Sequence, residues 1–82
     1  MALSEQDVLA GLTEIIVEET GIAAGDVASE KSFTDDLDID SLSMMTIVAQ
    51  AEDKFEVTIP DDEVKNLSTV GDAVAFITKA QA

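Results

Sequence analysis

The sequence contains no cysteine and no histidine. Without cysteine the fold has neither disulfides nor thiolate metal ligands, which is typical of a protein from a reducing compartment. Without histidine there is no imidazole base, so a Ser-His-Asp triad and a Cys-His pair are both excluded. A hydroxyl group of this chain is therefore not expected to act as a hydrolytic nucleophile, and we predict that the protein is not an enzyme.

Positive charge and long apolar runs are also scarce. The 82 residues carry 18 acidic side chains against 4 lysines, and the formal net charge is −14. Such a charge repels the phosphates of nucleic acids. It is consistent with partners that have Lys/Arg-rich patches, and equally with acidity that only confers solubility. No apolar run has the length of a membrane span, and residues 1–5 lack the features of a secretory signal. These observations predict one cytoplasmic domain, residues 1–82, with no membrane span and no nucleic-acid partner.

The most distinctive stretch is acidic and covers residues 35–42, with the sequence DDLDIDSL. Asp40 is a favourable N-cap, because its carboxylate can accept hydrogen bonds from the unpaired N–H groups of a first helical turn. An apolar-periodic segment begins directly after it, which places Ser41 at the first helical position. Ser41 is therefore predicted to lie exposed at the N-terminus of a helix.

Apolar periodicity predicts an all-α fold, namely a small four-helix bundle with three main helices and one short third helix. Ser4 is the expected cap of the first helix, which ends near Gly21, a residue type typical of helix C-termini. A loop over residues 22–34 follows. Val27 and Phe33 are its expected anchors on the core, because a loop this long in a small domain needs apolar contacts of its own.

The second helix is expected over about residues 41–55 and has two apolar faces. One is an ordinary core stripe at helical spacing, formed by Met44, Ile47, Val48, Ala51 and Phe55. The opposite side carries further apolar residues, namely Leu42, Met45 and Ala49. An apolar patch on an outer face can be scattered surface apolarity or a partner-binding surface, and the neighbouring acids Glu52 and Asp53 favour the second interpretation.

The C-terminal part of the chain is expected to contain the short helix and the last long one. Residues 55–59 alternate like a strand, but the run is short and ends at Pro60, so we interpret it as an extended connector. Pro60 is expected at the first position of the short helix. Thr69 caps the last helix, with Asp72 at its third position. The predicted buried face of that helix consists of Val70, Ala73, Val74 and Ile77.

The residue types of the acidic stretch are consistent with three kinds of chemistry. Asp36, Asp38 and Asp40 reproduce the D-x-D-x-D start of an EF-hand calcium loop, but Ser41 stands at position six and Ile47 at position twelve, where glycine and glutamate are required. A hydrolytic role for the serine is not expected, because the chain has no imidazole base. The third possibility is that Ser41 is an attachment point that another protein modifies.

Residues 36–42 resemble the D-L-G-x-D-S-L signature of the acyl carrier proteins of dissociated (type II) fatty acid synthases, in particular those of the actinobacterial type. In that family the serine carries a 4′-phosphopantetheine arm. The resemblance continues through further matching segments, namely residues 52–55, 59–61 and 69–73. Together with the acidity and the length, it covers nearly the whole chain, so the match is more specific than the D-S-L motif alone.

The resemblance implies a role for Ser41 and for the second helix. Ser41 would receive 4′-phosphopantetheine covalently from coenzyme A through a holo-acyl-carrier-protein synthase, and the thiol of the arm would hold acyl chains as thioesters. Ketosynthases, acyltransferases and other fatty acid synthesis enzymes would dock on the second helix through basic patches. The expected partner contacts are Asp40, Leu42, Met45, Glu52 and Asp53. No metal ligands are expected, and the protein would act as a monomer.

Three positions depart from the family pattern. Asp38 replaces the usual glycine, which puts the backbone geometry before Ser41 in question. Ser43 and Thr46 stand where many members have acids, so the helix face is less acidic and its enzyme preferences are open. The resemblance also implies that an acyl chain folds back between the helices, where the expected lining residues are Met44, Ile47, Ala51, Ile59 and Val74.

The sequence thus favours a non-enzymatic acyl carrier for fatty acid synthesis with Ser41 as its modified residue. A carrier for polyketide assembly is an alternative, because the sequence alone does not distinguish the two pathways. A second alternative, from another functional class, is an unmodified acidic helical adaptor that binds basic proteins through the second helix.

Overall fold

The computed structural model describes residues 3–81. It contains the helices α1 (Glu5–Thr20), α2 (Ser41–Phe55), α3 (Asp61–Val64) and α4 (Val70–Ala80), with a 3₁₀ turn at Ala24–Asp26. Within these residues the only β-type pairing is an isolated antiparallel bridge. The prediction of an all-α bundle with three main helices and a short third one is confirmed. Met1, Ala2 and Ala82, which the predicted domain also includes, lie outside the described residues.

Helix α1 begins and ends where its capping residues predict. The hydroxyl oxygen of Ser4 accepts a hydrogen bond from the Asp7 backbone N–H, with an N···O distance of 3.2 Å. At the other end Gly21 adopts a left-handed conformation with φ 78°, and its N–H donates to the Val17 carbonyl. Glycine takes this conformation without a Cβ penalty, so α1 stops there.

The three long helices bury one face each in a common core. Helix α1 packs against both α2 and α4. It contributes Val8, Leu12, Ile15 and Ile16 to the buried residues. Helix α2 contributes Ile47, Val48, Ala51 and Phe55. Helix α4 contributes Val70, Ala73, Val74 and Ile77. The face of α4 is the apolar stripe that the sequence predicts, and the face of α2 matches its predicted stripe with one exception.

The exception is Met44, which was expected in the core and is only partly buried. It packs against the core but also lines an open cleft between α2 and α3. The reason is that α3 is a single short turn, which leaves the first half of α2 incompletely covered. The expectation that Met44 is an ordinary core residue is therefore wrong.

Helices α1 and α2 approach each other closely at Gly11. A Cβ atom at this position would lie 2.8 Å from the Phe55 ring, so any larger residue would force the ring or the helices to shift. An exposed ion pair between Lys54 and Glu14, at 3.6 Å, crosses the same interface. Exposed pairs of this kind contribute little to stability, so the contact of Gly11 with the ring is the more important of the two.

The loop between α1 and α2 is held to the start of α4 by backbone hydrogen bonds. The Phe33 N–H donates to the Ser68 carbonyl at 3.1 Å, and the Val70 N–H donates to the Lys31 carbonyl at 2.9 Å. These bonds flank the bridge between Ser32 and Thr69. Although the loop has little regular structure, its backbone is therefore tied to the bundle at the point where α4 begins.

The connector between α2 and α3 forms no strand, as predicted, and it is anchored on the core. Val57 and Ile59 are buried, and the Ile59 N–H donates to the Glu52 carboxylate at 2.7 Å. Pro60 precedes α3 as its N-cap, with an extended backbone, so the prediction that it is the first helical residue is wrong by one position. The cause is ψ 149° at Pro60, which lies outside the helical range.

Helix α4 begins with a capping box. The Thr69 hydroxyl accepts from the Asp72 N–H at 3.1 Å, and the Asp72 carboxylate accepts from the Thr69 N–H at 3.2 Å. Two unpaired donors of the helix terminus are satisfied in this way. The predicted cap of the last helix is confirmed. The capping box also fixes the backbone of Thr69, which pairs with the loop before α2.

Candidate functional site

Ser41 is the first residue of α2, and its side chain is exposed. The residue before it, Asp40, is the N-cap of the helix, as predicted. A helix N-terminus concentrates partial positive charge from its unpaired N–H groups, so an anion attached to Ser41 would be stabilised by the helix dipole. The position is thus accessible to a second protein and electrostatically suited to carry a phosphate.

The Asp40 carboxylate holds the first turn of α2. Its Oδ1 atom accepts from the Ser43 backbone N–H at 2.8 Å. This hydrogen bond is the main reason why the pKa of Asp40 lies below its ordinary value, and the Ser43 hydroxyl and the Leu42 N–H lower it further. Asp40 is therefore ionised at neutral pH and combines two functions, since it caps the helix and places a negative charge beside Ser41.

The lowered pKa of Asp40 predicts how the stability of the protein depends on pH. Because the folded-state pKa lies below the unfolded one, the contribution of Asp40 is complete above its ordinary pKa and is lost as the pH falls through the lower, folded-state value. We expect Asp40→Ala to lower the melting temperature at neutral pH, and this difference from the wild type to shrink in acid.

Asp53→Ala is the matched control for charge, because Asp53 is an exposed acid of α2 that lies beyond its first turn. Thermal melts from neutral to strongly acidic pH check the prediction. An Asp40→Ala curve parallel to the Asp53→Ala curve at every pH would show that the Asp40 cap does not stabilise α2.

The backbone before Ser41 is bent by a residue that replaces a glycine of the family pattern. Asp38 has φ 53°, in the left-handed region that glycine favours and that aspartate tolerates better than most residues. The turn is anchored on either side, because Leu37 and Ile39 are both buried. The Ile39 N–H also donates to the Phe33 carbonyl at 2.8 Å. The glycine-like geometry is thus retained, and Asp38 itself stays exposed.

A cleft of about 530 Å³ opens beside Ser41. Its walls come from the first half of α2, from α3 with the residues that follow it, and from the preceding loop. The apolar side chains that line it are Phe33, Ile39, Met44, Met45, Val64 and Leu67. Its volume falls within the range of roughly 300–1,000 Å³ that is usual for small-molecule sites. An arm attached to Ser41 has an apolar surface available at its point of attachment.

Only one of the residues expected to line a folded-back acyl chain contributes to this cleft. Met44 lines it, whereas the other four lie in the closed core, with exposures of 1% for Ile47, 1% for Ala51, 5% for Ile59 and 4% for Val74. Access of an acyl chain to those four residues would therefore require the helices to separate, and sequestration stays a prediction.

The outer face of α2 carries the exposed apolar residues that the sequence predicts. Leu42 is 80% exposed and Met45 is 49% exposed. Asp40 and Asp53 are exposed as well, whereas Glu52 is half-buried and its carboxylate is bonded to the Ile59 N–H. Four of the five predicted partner contacts are thus freely accessible, and Glu52 has a structural bond in addition to any contact it makes.

Some residues of the site were not found from the sequence. The burial of Leu37 and Ile39 was missed, although the strict alternation of apolar and acidic residues over 36–40 is a period-two signal that could have indicated it. Val64, Lys65 and Leu67 on the far wall of the cleft carried no recognisable local signal, because their place depends on how α3 packs against α2.

Comparison with known proteins defines the class of this site. A family model described as a phosphopantetheine attachment site matches residues 10–77. The acyl carrier protein of Beutenbergia cavernae is 74% identical over 82 residues, covering 100% of both chains. That of Kineococcus radiotolerans is 68% identical over 78 residues, covering 95% of this chain and 96% of its own. An acyl carrier protein structure from Enterococcus faecalis superposes with a TM-score of 0.79 at 33% identity, covering 95% of this chain and 99% of that one.

The chain is therefore a phosphopantetheine carrier domain and not a catalyst. More narrowly, it belongs to the acyl carrier proteins, and its high-identity relatives come mostly from actinobacteria, as expected. The 4′-phosphopantetheine cofactor fits the residues present, since an exposed hydroxyl at a helix N-terminus adjoins an apolar cleft. None of the helices described within residues 3–81 has the length and hydrophobicity of a membrane span.

Proposed function

We propose that Ser41 is the residue to which 4′-phosphopantetheine is attached, within a single carrier domain. The observation that carries this proposal is the exposed Ser41 hydroxyl on the first residue of α2, beside the cleft. The helix terminus favours an attached phosphate by about 0.3–1 kcal/mol. Among the described residues, Ser43 and Ser68 are nearby hydroxyls, but neither stands at the start of a long helix.

The attachment needs an external enzyme, because the chain supplies only the nucleophile. The Ser41 oxygen forms a bond to the phosphorus next to the pantetheine, the phosphoanhydride bond of coenzyme A breaks, and the nucleotide part leaves. The hydroxyl proton passes to a base of the transferase, because the Asp40 carboxylate beside Ser41 already accepts from the Ser43 N–H and its lowered pKa makes it a weak base. Asp40 adds negative charge to the reaction centre, so Mg²⁺ or basic residues of the transferase must offset it.

The attached arm supplies a thiol that holds acyl groups as thioesters. The function that follows is to hold growing acyl chains and to present them to the enzymes of fatty acid synthesis in the cytoplasm, with the protein acting as a monomer. Polyketide assembly uses the same thioester chemistry and remains the alternative pathway. The fatty acid assignment is supported by the similarity to free-standing acyl carrier proteins along the whole chain.

The docking surface that we propose for these enzymes is the outer face of α2. Its contact residues are Asp40, Leu42, Met45, Glu52 and Asp53. Exposed Leu42 and Met45 provide an apolar centre, and the carboxylates around them suit basic patches on holo-acyl-carrier-protein synthase, ketosynthases and acyltransferases. The net charge of −14 supports the same type of partner.

Truncation of Leu42 should weaken the docking of the phosphopantetheinyl transferase. Because Leu42 is proposed as a central contact of this surface, its truncation is expected to cost about 1.4 kcal/mol, so Leu42→Ala should raise KM about tenfold with little change in kcat. Leu3→Ala is the matched control, because Leu3 is also an exposed leucine, at 42%, but lies outside α2. Equal KM values for the two variants would argue against docking through this face.

The carrier function is tested by loading the protein and then supplying the enzymes of each pathway. The purified chain is incubated with coenzyme A, Mg²⁺ and a phosphopantetheinyl transferase, and its intact mass should rise by one phosphopantetheine. The loaded protein is then malonylated and given to reconstituted fatty acid synthase enzymes or to polyketide condensing enzymes. Chain elongation by the first set supports fatty acid synthesis, whereas elongation by the second set alone reverses the assignment. No mass gain would favour the unmodified acidic adaptor.

A further inference from the structure

Lys65 places a positive charge in the cleft beside Ser41. It follows α3 directly and is exposed, and it lines the same cleft as Ser41. The other charged side chains that line this cleft are Asp40 and Asp61. Within the described part of the chain, Lys65 is therefore the one cation in an otherwise negative cleft.

The ammonium group of Lys65 has no partner among residues 3–81. Lys54, by contrast, is paired with Glu14 at 3.6 Å. Lys65 forms neither an ion pair nor a side-chain hydrogen bond within the described residues, although Asp61, the first residue of α3, lies four residues before it. Its three N–H donors, on a flexible four-carbon stem, are thus available to an anion in the cleft.

The modification of Ser41 would bring such an anion to this place. A phosphodiester has a permanent negative charge, and on Ser41 it would lie next to the Asp40 carboxylate, which repels it. We propose that Lys65 binds this phosphodiester and holds the near end of the arm in the cleft. Lys65 is then a positioning residue for the arm, an inference that rests on the proposed attachment at Ser41.

The experiment compares the apo and loaded forms of the wild type and of lysine variants. Loading is verified first by intact mass, so a failure of attachment is seen separately from a failure of Lys65. The ³¹P resonance of the loaded protein should shift in Lys65→Ala but not in Lys79→Ala, which removes the same charge from α4. Lys65→Arg keeps the charge, so the ³¹P chemical shift of its loaded form should stay close to that of the wild type.

The melting temperature provides a second, independent readout. Because a surface ion pair stabilises a small domain only modestly, the change in melting temperature on loading should be less favourable in Lys65→Ala than in the wild type by roughly 1–8 °C. This difference should disappear in 1 M NaCl. Lys79→Ala should respond to loading like the wild type.

The arm and a free anion must also be distinguished as the source of the phosphate. Inorganic phosphate added to the apo protein should leave the Lys65 backbone amide resonance unchanged, whereas loading should shift it. A shift produced by inorganic phosphate alone would mean a general anion site and would overturn the proposal. The proposal is also overturned if Lys65→Ala and Lys79→Ala give the same ³¹P resonance and the same response to loading.

Discussion

We expect the Ser41→Ala variant to gain no phosphopantetheine under conditions in which the wild-type protein is loaded completely. The reason is chemical, because the substitution removes the side-chain hydroxyl at the first position of α2, to which the arm would be attached. The fold should be unaffected, since Ser41 is exposed and the Asp40 cap of α2 acts through Ser43. Intact mass after incubation with coenzyme A, Mg²⁺ and a transferase is the readout.

Two serines provide matched controls for this loss. Ser43 lies two positions along the same helix, and Ser68 lines the opposite wall of the same cleft. Ser43→Ala and Ser68→Ala should both be loaded, with at most a change of rate. If Ser41→Ala gained the full mass and Ser43→Ala gained none, the attachment point would have to be moved to Ser43.

The second large effect is expected in the loop that presents the site. Phe33 is 2% exposed and is among the largest fully buried side chains of the described residues. Its N–H donates to the Ser68 carbonyl, and its carbonyl accepts from the Ile39 N–H. We expect Phe33→Ala to lower the free energy of unfolding by about 3–5 kcal/mol, which is a large part of the roughly 5–15 kcal/mol that stabilises a typical domain.

Phe76→Ala is the control for the size of this effect. Phe76 has the same side chain on α4 but is only partly buried against the core, so its truncation should cost clearly less. Denaturant unfolding of the three proteins checks the order of stability. Equal losses for the two variants would show that the loop does not depend on Phe33 as its anchor.

The long helices could be predicted from the sequence because their signals are local. The cap residues Ser4, Asp40 and Thr69 act within three residues, and an apolar stripe at helical spacing indicates which face is buried. The same local signals placed Ser41 at the first position of α2. The position of Pro60 was wrong by one residue because the helix boundary depends on a single ψ angle.

Other parts of the site depend on contacts between segments that are far apart in the sequence. The bond from the Ile59 N–H to the Glu52 carboxylate and the cleft position of Lys65 arise only when the connector and α3 pack against α2. Periodicity also placed Met44 in the core. The spacing of apolar residues indicates which face of a helix is apolar, but not how far a neighbouring element covers that face. The left-handed backbone of Asp38 could not be predicted, because the turn is anchored by the burial of Leu37 and Ile39, which was itself missed.

The most direct test is to locate the modification on the loaded wild-type protein. Cleavage after lysine releases residues 32–54 as one peptide, which contains both Ser41 and Ser43. Fragment masses of this peptide distinguish the two serines, because cleavage of the backbone between them assigns the added mass to one side. We predict that the phosphopantetheine is found on Ser41. Its presence on any other residue, or its absence from this peptide, would contradict the proposed function.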